Sequence, residues 1–356
     1  MHQKTVLNNG LRIISDTMPH TRSVCIGVFI GTGSRYERAE EAGVSHFIEH
    51  LCFKGTQRRT TSKEISEAIE GVGGMLNGAT DKELTVYWCK VARPHFLLAV
   101  DVLADMLSHS RFDPEDIEKE RQIIIEEINM SFDSPQHRVD LLIDELMWPD
   151  QPLGRDIAGN KDTVTSLTRQ HMLDYLARQY LANNMVVSVA GDISHQEVVA
   201  SLEEAFGNWQ RGSSHRWYPA DNRQYQPRFQ VEQRDTEQAH LCLGLPGLSL
   251  SHPDRFILDL LSIILGEGMS SRLFLEIREK RGLAYAIHSY ADHFLDTGSL
   301  GVYAGVDPKH LPTAIKAILE ELNRLKQKTP EVELTKAKEL GKGRLLLRME
   351  DTRSVA

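Results

Sequence analysis

Cysteine is scarce in this chain. Four occur in 356 residues, at positions 25, 52, 89 and 242, and no two form a C-x-x-C pair. They read as buried free thiols, which fits a reducing compartment. Long apolar runs are also missing. The longest, 256–265 and 185–190, fall well short of the ~20 residues that span a bilayer, so no membrane segment is expected. The first ten residues lack the apolar core of a signal peptide and the Arg/Ser-rich character of a transit peptide. Cytoplasm is therefore the expected location, with a removed presequence or a truncated end invisible to the sequence. Basic charge is in deficit: 41 Lys and Arg stand against 50 Asp and Glu, for a net charge of −9. A diffuse negative charge argues against a nucleic-acid protein, because phosphate binding wants a concentrated basic face.

What remains is an ordinary globular balance, with 41% hydrophobic and 26% charged residues. That is enough apolar material for sizeable cores, and the length suggests two domains or one domain duplicated. Alternating apolar residues predict strands at 11–15, 24–30 and 84–91. Helical periodicity predicts helices at 44–53, 63–72, 95–108 and 114–130, followed by helix 168–180, strand 185–190 and helix 195–209. Strands and helices come in clusters, which indicates an α+β fold. The polar stretch 211–227 reads as a linker between a first domain, 1–210, and a second, 228–356. The second repeats the grammar of the first, with strand 240–245, helices 254–265 and 272–279, strands 284–290 and 298–305, and helices 311–327 and 332–350. Helix 332–350 sits where 114–130 sits in the first half. The expectation is two homologous halves, the second incomplete at its C-terminal end because nothing in it matches 140–210.

The sharpest chemical signal is His46-Phe47-Ile48-Glu49-His50 within the first predicted helix. Residues four apart share a helix face, so both imidazoles can converge on one point, and Glu49 borders that face. Two imidazoles and a carboxylate are what a catalytic zinc site recruits, with the fourth position left for water. The order H-x-x-E-H inverts the H-E-x-x-H of zinc-protease helices. A further ligand can come from helix 114–130, which carries Glu120, Glu126 and Glu127. Glu120 and Glu127 are nearly on one face, beside Ile123 and Ile124. Carboxylates on an apolar face are costly unless paired or metal-bound. Glu126 points away and reads as solvated.

The chain resembles the pitrilysin/insulinase family of inverzincin zinc metallopeptidases, in particular short bacterial members related to mitochondrial processing peptidase. The resemblance rests on the H-x-x-E-H helix and on Glu127, which lies 127 − 50 = 77 residues beyond His50 at the family's spacing. It extends over Gly31-Thr-Gly-Ser-Arg35, Phe53-Lys-Gly-Thr56, Asn77-Gly-Ala-Thr80, Gln151-Pro-Leu-Gly-Arg155, Asn183-Asn-Met185 and Gly268-Met-Ser-Ser-Arg-Leu-Phe274. It implies one zinc per chain held by His46, His50 and Glu127, with Glu49 as general base and Glu120 behind a ligand imidazole. It also implies two halves, each an antiparallel-rich sheet flanked by helices, that enclose a chamber for peptides. Asn77 would belong to the edge strand that receives substrate by strand addition, and is placed just before that strand proper. Arg278 and Tyr285, seven apart, resemble the family's pair that reaches the substrate carbonyl from the noncatalytic half.

The implied activity is zinc-dependent endopeptidase cleavage of short, unfolded or presequence-like peptides. A homodimer, or a heterodimer with a related subunit, fits the same resemblance. The second half has no H-x-x-E-H, so only the first half is expected to be catalytic. The rival reading is a noncatalytic peptide-binding subunit. Such relatives have lost Glu49 or a ligand, whereas this chain keeps all four residues.

Overall fold

The computed structural model describes residues 2–214, 216–222 and 226–356; His215 and residues 223–225, in the expected 211–227 linker, lie outside the described residues. In chain order the elements are β1 (Gln3–Val6), β2 (Arg12–Thr17), β3 (Ser23–Ile30), α1 (Val44–Cys52), α2 (Ser62–Glu70), β4 (Met75–Thr80), β5 (Thr85–Ala92), α3 (Phe96–His109), α4 (Pro114–Asp133), α5 (Pro135–Met147), α6 (Lys161–Ser166) and α7 (Arg169–Gln179). They continue with β6 (Met185–Gly191), α8 (His195–Phe206), β7 (Ala239–Pro246), α9 (Arg255–Gly266), β8 (Ala284–His293), β9 (Gly298–Val306), α10 (Leu311–Arg324), α11 (Glu331–Arg348) and α12 (Thr352–Val355). No described helix is long and apolar enough to cross a membrane.

The residues gather into two compact units. The first comprises Met1–Asn129, Asp156–Tyr218 and Leu347–Ala356, and the second Met130–Arg155 and Pro219–Leu346. This differs from the 1–210 and 228–356 division read from the sequence. Residues 130–155 go with the second unit, and the last ten return to the first.

In the first unit a six-stranded sheet runs in the order β1-β2-β6-β3-β5-β4. Only the β2–β6 pairing is parallel. Alternate residues of the central strands point into one core: Val24, Ile26, Val28 and Ile30 of β3; Tyr87, Cys89 and Val91 of β5; Met185, Val187 and Val189 of β6. Phe47, Ile48 and Leu51 of α1, Ile65 and Ile69 of α2, and Leu103 and Met106 of α3 close over them. Full burial of each large side chain stabilises by roughly 1.5–3 kcal/mol, which is what holds α1 against the sheet. The segment around α12 packs against the sheet as well. Lys90 pairs with Asp351, Arg353 lies 3.8 Å above the Trp88 ring, and Ser23 bonds Thr352 at 3.0 Å.

β4 is the edge of this sheet. Its residues alternate between exposed and half-buried, and it pairs with β5 so that Asn77 stands opposite Trp88. Asn77 thus lies inside the strand rather than before it. Asn and Gly are weak strand formers, and here the ladder with β5 overrides their local preference.

The second unit is built on a three-stranded antiparallel sheet, β7-β9-β8. Its core contains Leu265, Leu273, Ile277, Ile287, Val302, Ala304 and Ile318. α5 lies on β7, where Ile143 fills the space above Gly244: a Cβ on that glycine would meet Ile143 Cγ1 at 2.9 Å. The segment read as helix 272–279 is π-helical over Phe274–Glu279. A register shift of the bulge type follows in β8, where Ala284 and Ala286 pair with consecutive residues of β9 and Tyr285 is the extra residue.

Candidate metal centre

α1 begins at Gly43, whose φ of 94° no side-chain-bearing residue adopts easily; an added Cβ there would also sit 2.5 Å from the Ala158 carbonyl. No Ser, Thr, Asp or Asn caps the helix. Instead the buried Glu37 carboxylate accepts the Gly43 N–H at 2.7 Å and the Ser45 N–H at 2.8 Å. An anion at a helix N-terminus satisfies free donors and the helix dipole together. Ser45 also donates to the buried Tyr175 hydroxyl at 2.9 Å, and Tyr175 bonds Thr32 at 2.8 Å. The first turn is therefore anchored from two directions, which fixes the direction of the side chains one turn on.

The His46 and His50 rings stand 4.6 Å apart between centroids, with planes at 71°. Both Nε2 atoms lie 3.7 Å from the same Glu127 oxygen, Oε2. Glu49 joins them: donor atoms of His46, Glu49 and His50 all lie within 4.8 Å of one another. α4 supplies the opposing carboxylates. Asp113 Oδ1 accepts the Glu115 N–H at its start, and the row Ile117, Glu120 and Ile124 faces inward. Ile124 is fully buried, but Ile123, expected on the same apolar face, is 44% exposed.

His50 Nδ1 lies 3.1 Å from Glu120 Oε2, and Lys54 Nζ lies 2.6 Å from the other oxygen of that carboxylate. Glu49 accepts a long hydrogen bond from Thr80 of β4, at 3.5 Å. Its Oε1 would be 2.7 Å from a Cβ on Gly78, so the edge strand runs directly alongside it.

The electrostatics follow from burial among carboxylates. Burial, and secondarily the neighbouring His50, push the His46 pKa down to about 4, which keeps the imidazole neutral as a ligand must be. Burial acts the same way on His50, but the Glu120 hydrogen bond and the Glu127 and Glu49 charges outweigh it and raise its pKa. Burial raises the pKa of Glu49 above the usual carboxylate range, the direction suited to a group that takes up a proton near neutrality. For Glu120, burial is overcome by the hydrogen bonds from His50 and Lys54, and its pKa is lowered.

The residues suit zinc. A tetrahedral centre with bonds of about 2.0–2.2 Å separates its ligand atoms by roughly 3.4 Å, close to the 3.7 Å between each imidazole nitrogen and Glu127 Oε2. His46 Nδ1 is buried without a hydrogen-bond partner, so the orientation of this ring is not set by a bond at that atom.

Asn77 lies on the exposed edge of β4, its Oδ1 accepting the Gly78 N–H at 2.7 Å. Arg278 and Tyr285 belong to the second unit and meet each other. The guanidinium lies 5.2 Å from the Tyr285 ring centroid and 4.8 Å from that of Phe274. Tyr285 is 74% exposed. Glu37, Lys54, Gly78 and Thr80 act around the site without having been assigned a role from sequence. The signal available for the last three was their place in the Phe53–Thr56 and Asn77–Thr80 motifs.

Residues 12–161 match the family described as insulinase (peptidase family M16), and residues 166–340 match the peptidase M16 inactive domain. Among relatives, the uncharacterized zinc protease YmxG of Bacillus subtilis is 38% identical over 99% of this chain and 86% of its own length. An uncharacterized zinc protease of Streptomyces coelicolor is 38% identical over 98% of this chain and 78% of its own. Among solved structures, a protease from Helicobacter pylori superposes with a TM-score of 0.93 at 25% identity, covering 100% of this chain and 87% of that one. With the H-x-x-E-H helix in the matched first region and none in the second, the chain belongs to the insulinase family of peptidases, family M16.

Proposed function

We propose that this chain is a zinc metalloendopeptidase that hydrolyses short, unfolded or presequence-like peptides, with one zinc per chain held by His46, His50 and Glu127. The observation that carries the reading is the placement of both imidazole Nε2 atoms 3.7 Å from one Glu127 oxygen, with Glu49 beside them. Zinc there supplies Lewis acidity, lowering the pKa of water toward neutrality and polarising a carbonyl oxygen. Glu49 takes the proton released as the water oxygen bonds the carbonyl carbon, and returns it to the amine nitrogen as the C–N bond breaks. Its raised pKa suits both halves of that task. Glu120 holds the Nδ1 side of His50, leaving Nε2 for the metal.

β4 supports peptides as the substrate class. Its free edge runs alongside Glu49, and an extended peptide added there gains main-chain hydrogen bonds with little sequence preference. Asn77 is one of the exposed residues on that edge, with Met75 and Ala79. Arg278 and Tyr285 are the proposed donors to the substrate carbonyl and the developing oxyanion. Both sit at backbone irregularities, a π-helical turn and a bulge, which re-aim side chains and recur near active sites. The free cysteines, three of them buried, support a reducing, cytoplasmic setting.

The test pairs zinc analysis with peptide cleavage. One zinc per chain and a cleaved unfolded peptide are expected for the wild type. Glu49→Gln should retain the metal without the activity. A metal-replete wild type that binds peptides but cleaves none would favour the noncatalytic subunit instead.

A further inference from the structure

We infer that Lys54 is a positioning residue for the metal centre: it fixes the Glu120 carboxylate in the one orientation that sets the ring of His50. The inference rests on the zinc reading above. Glu120 is almost fully buried, with a side chain 4% exposed, and each of its oxygens has its own partner. Oε1 receives Lys54 Nζ at 2.6 Å, and Oε2 meets His50 Nδ1 at 3.1 Å. A buried carboxylate with one oxygen unmatched turns to find another donor, and the bond to His50 turns with it. The ammonium also offsets charge. Lys54 is the cation in direct contact with the buried Glu120 carboxylate, which would otherwise carry its charge against a histidine alone.

The backbone after α1 is built to deliver this side chain. Lys54 follows His50 by four residues, its N–H donating to the Leu51 carbonyl at 3.1 Å. Gly55 then turns with a φ of 152°, where a Cβ would stand 2.6 Å from the Thr60 carbonyl. Thr56, fully buried, donates to Asp105 at 2.7 Å and accepts the Arg58 and Arg59 N–H groups at 3.1 and 2.8 Å. Asp105 is held in turn by Arg58 and Arg59. The Phe53–Thr56 motif is thus a braced reversal that places the Lys54 ammonium on Glu120.

The test is zinc affinity of the apo protein, measured by chelator competition, with circular dichroism and apo thermal stability as controls. Lys54→Met should weaken zinc binding about 10- to 100-fold, the range for loss of an outer-shell partner. Lys54→Arg, which keeps the charge, should retain most of the affinity, and Lys54→Gln gives a second truncation should Met fold poorly. If Lys54 acts through Glu120, adding Lys54→Met to Glu120→Gln changes affinity little further. Wild-type affinity in both Lys54→Met and Lys54→Gln, or losses that multiply with Glu120→Gln, overturns the inference. His46→Ala separates the two levels. If it also keeps zinc, the metal reading itself fails; if it loses zinc while the Lys54 variants do not, only the positioning role fails.

Discussion

The Glu37 carboxylate accepts the backbone N–H of Ser45 at 2.8 Å, inside the protein, eight residues before it would be sought as part of the helix that carries the metal motif. Together with the Gly43 N–H, that bond fixes where α1 starts, and hence where His46 and His50 point.

Replacing Glu37 by Ala leaves two buried donors unmatched at a helix terminus. The expected loss is about 2–6 kcal/mol of stability, at roughly 1–3 kcal/mol for each unsatisfied buried group. Chemical denaturation of the apo protein measures it. A change below 0.5 kcal/mol, within the ordinary range of surface substitutions, would mean that other contacts define the helix start.

His46→Ala, His50→Ala and Glu127→Gln should each weaken zinc binding by more than the roughly 10- to 100-fold expected of outer-shell partners. Metal analysis after dialysis against a weak chelator reads this out. Zinc content unchanged in Glu127→Gln would remove that residue from the ligand set and leave Glu49, whose donor atoms cluster with both imidazoles, to take its place.

Glu49→Gln preserves size but cannot accept a proton. It should lose peptide hydrolysis by ~10²- to 10⁴-fold, the contribution of a positioned general base, at wild-type zinc content. Full activity in the zinc-loaded variant would sink the proton-transfer role.

Tyr285→Phe should lower kcat/KM by roughly 10- to 1000-fold while leaving zinc affinity and fold unchanged, as for one transition-state donor. Arg278→Gln should behave similarly, and the double variant should lose less than the product if both serve one oxyanion. Unaltered kinetics in both single variants would make the stacked pair structural.

The first unit should also lose stability in acid through Glu41. Burial tends to raise its pKa, but hydrogen bonds from Arg38 and Arg178 prevail and bring it from 4.5 down to about 2. A carboxylate with a lowered folded-state pKa contributes stability that is fully present above pH ~4.5 and is lost as pH falls toward 2. Arg178→Gln should therefore lower Tm at pH 6, by the equivalent of about 1–2 kcal/mol after solvent screening, and the gap to wild type should narrow as pH falls from 4.5 toward 2. A gap constant with pH would assign the loss to packing.

The metal helix was legible because it is coded by residue type and period within nine residues: His46 and His50 share a face, and apolar Phe47, Ile48 and Leu51 cover the other. Glu127 was legible only through the family's spacing, since its own helix also offers Glu120 and Glu126. What escaped depends on residues distant in sequence. The Glu37 cap lacks the usual Ser or Thr, and β4 contains an Asn-Gly pair that becomes a strand only by pairing with β5. α5 and α12 find their partners on sheets built from the other stretch of the sequence, an exchange that no local periodicity records.

That exchange bears on how the protein is made. The first sheet takes in Thr352 and Arg353, residues that leave the ribosome only after all of 219–346 has been synthesised. Its nascent form must wait, with the surface around Trp88 and Ser23 uncovered, until the end of this chain arrives. For the same reason, severing the chain within 211–227 would not yield two autonomous domains. Each fragment would carry away a helix belonging to the other, and the pair would have to reassemble by complementation.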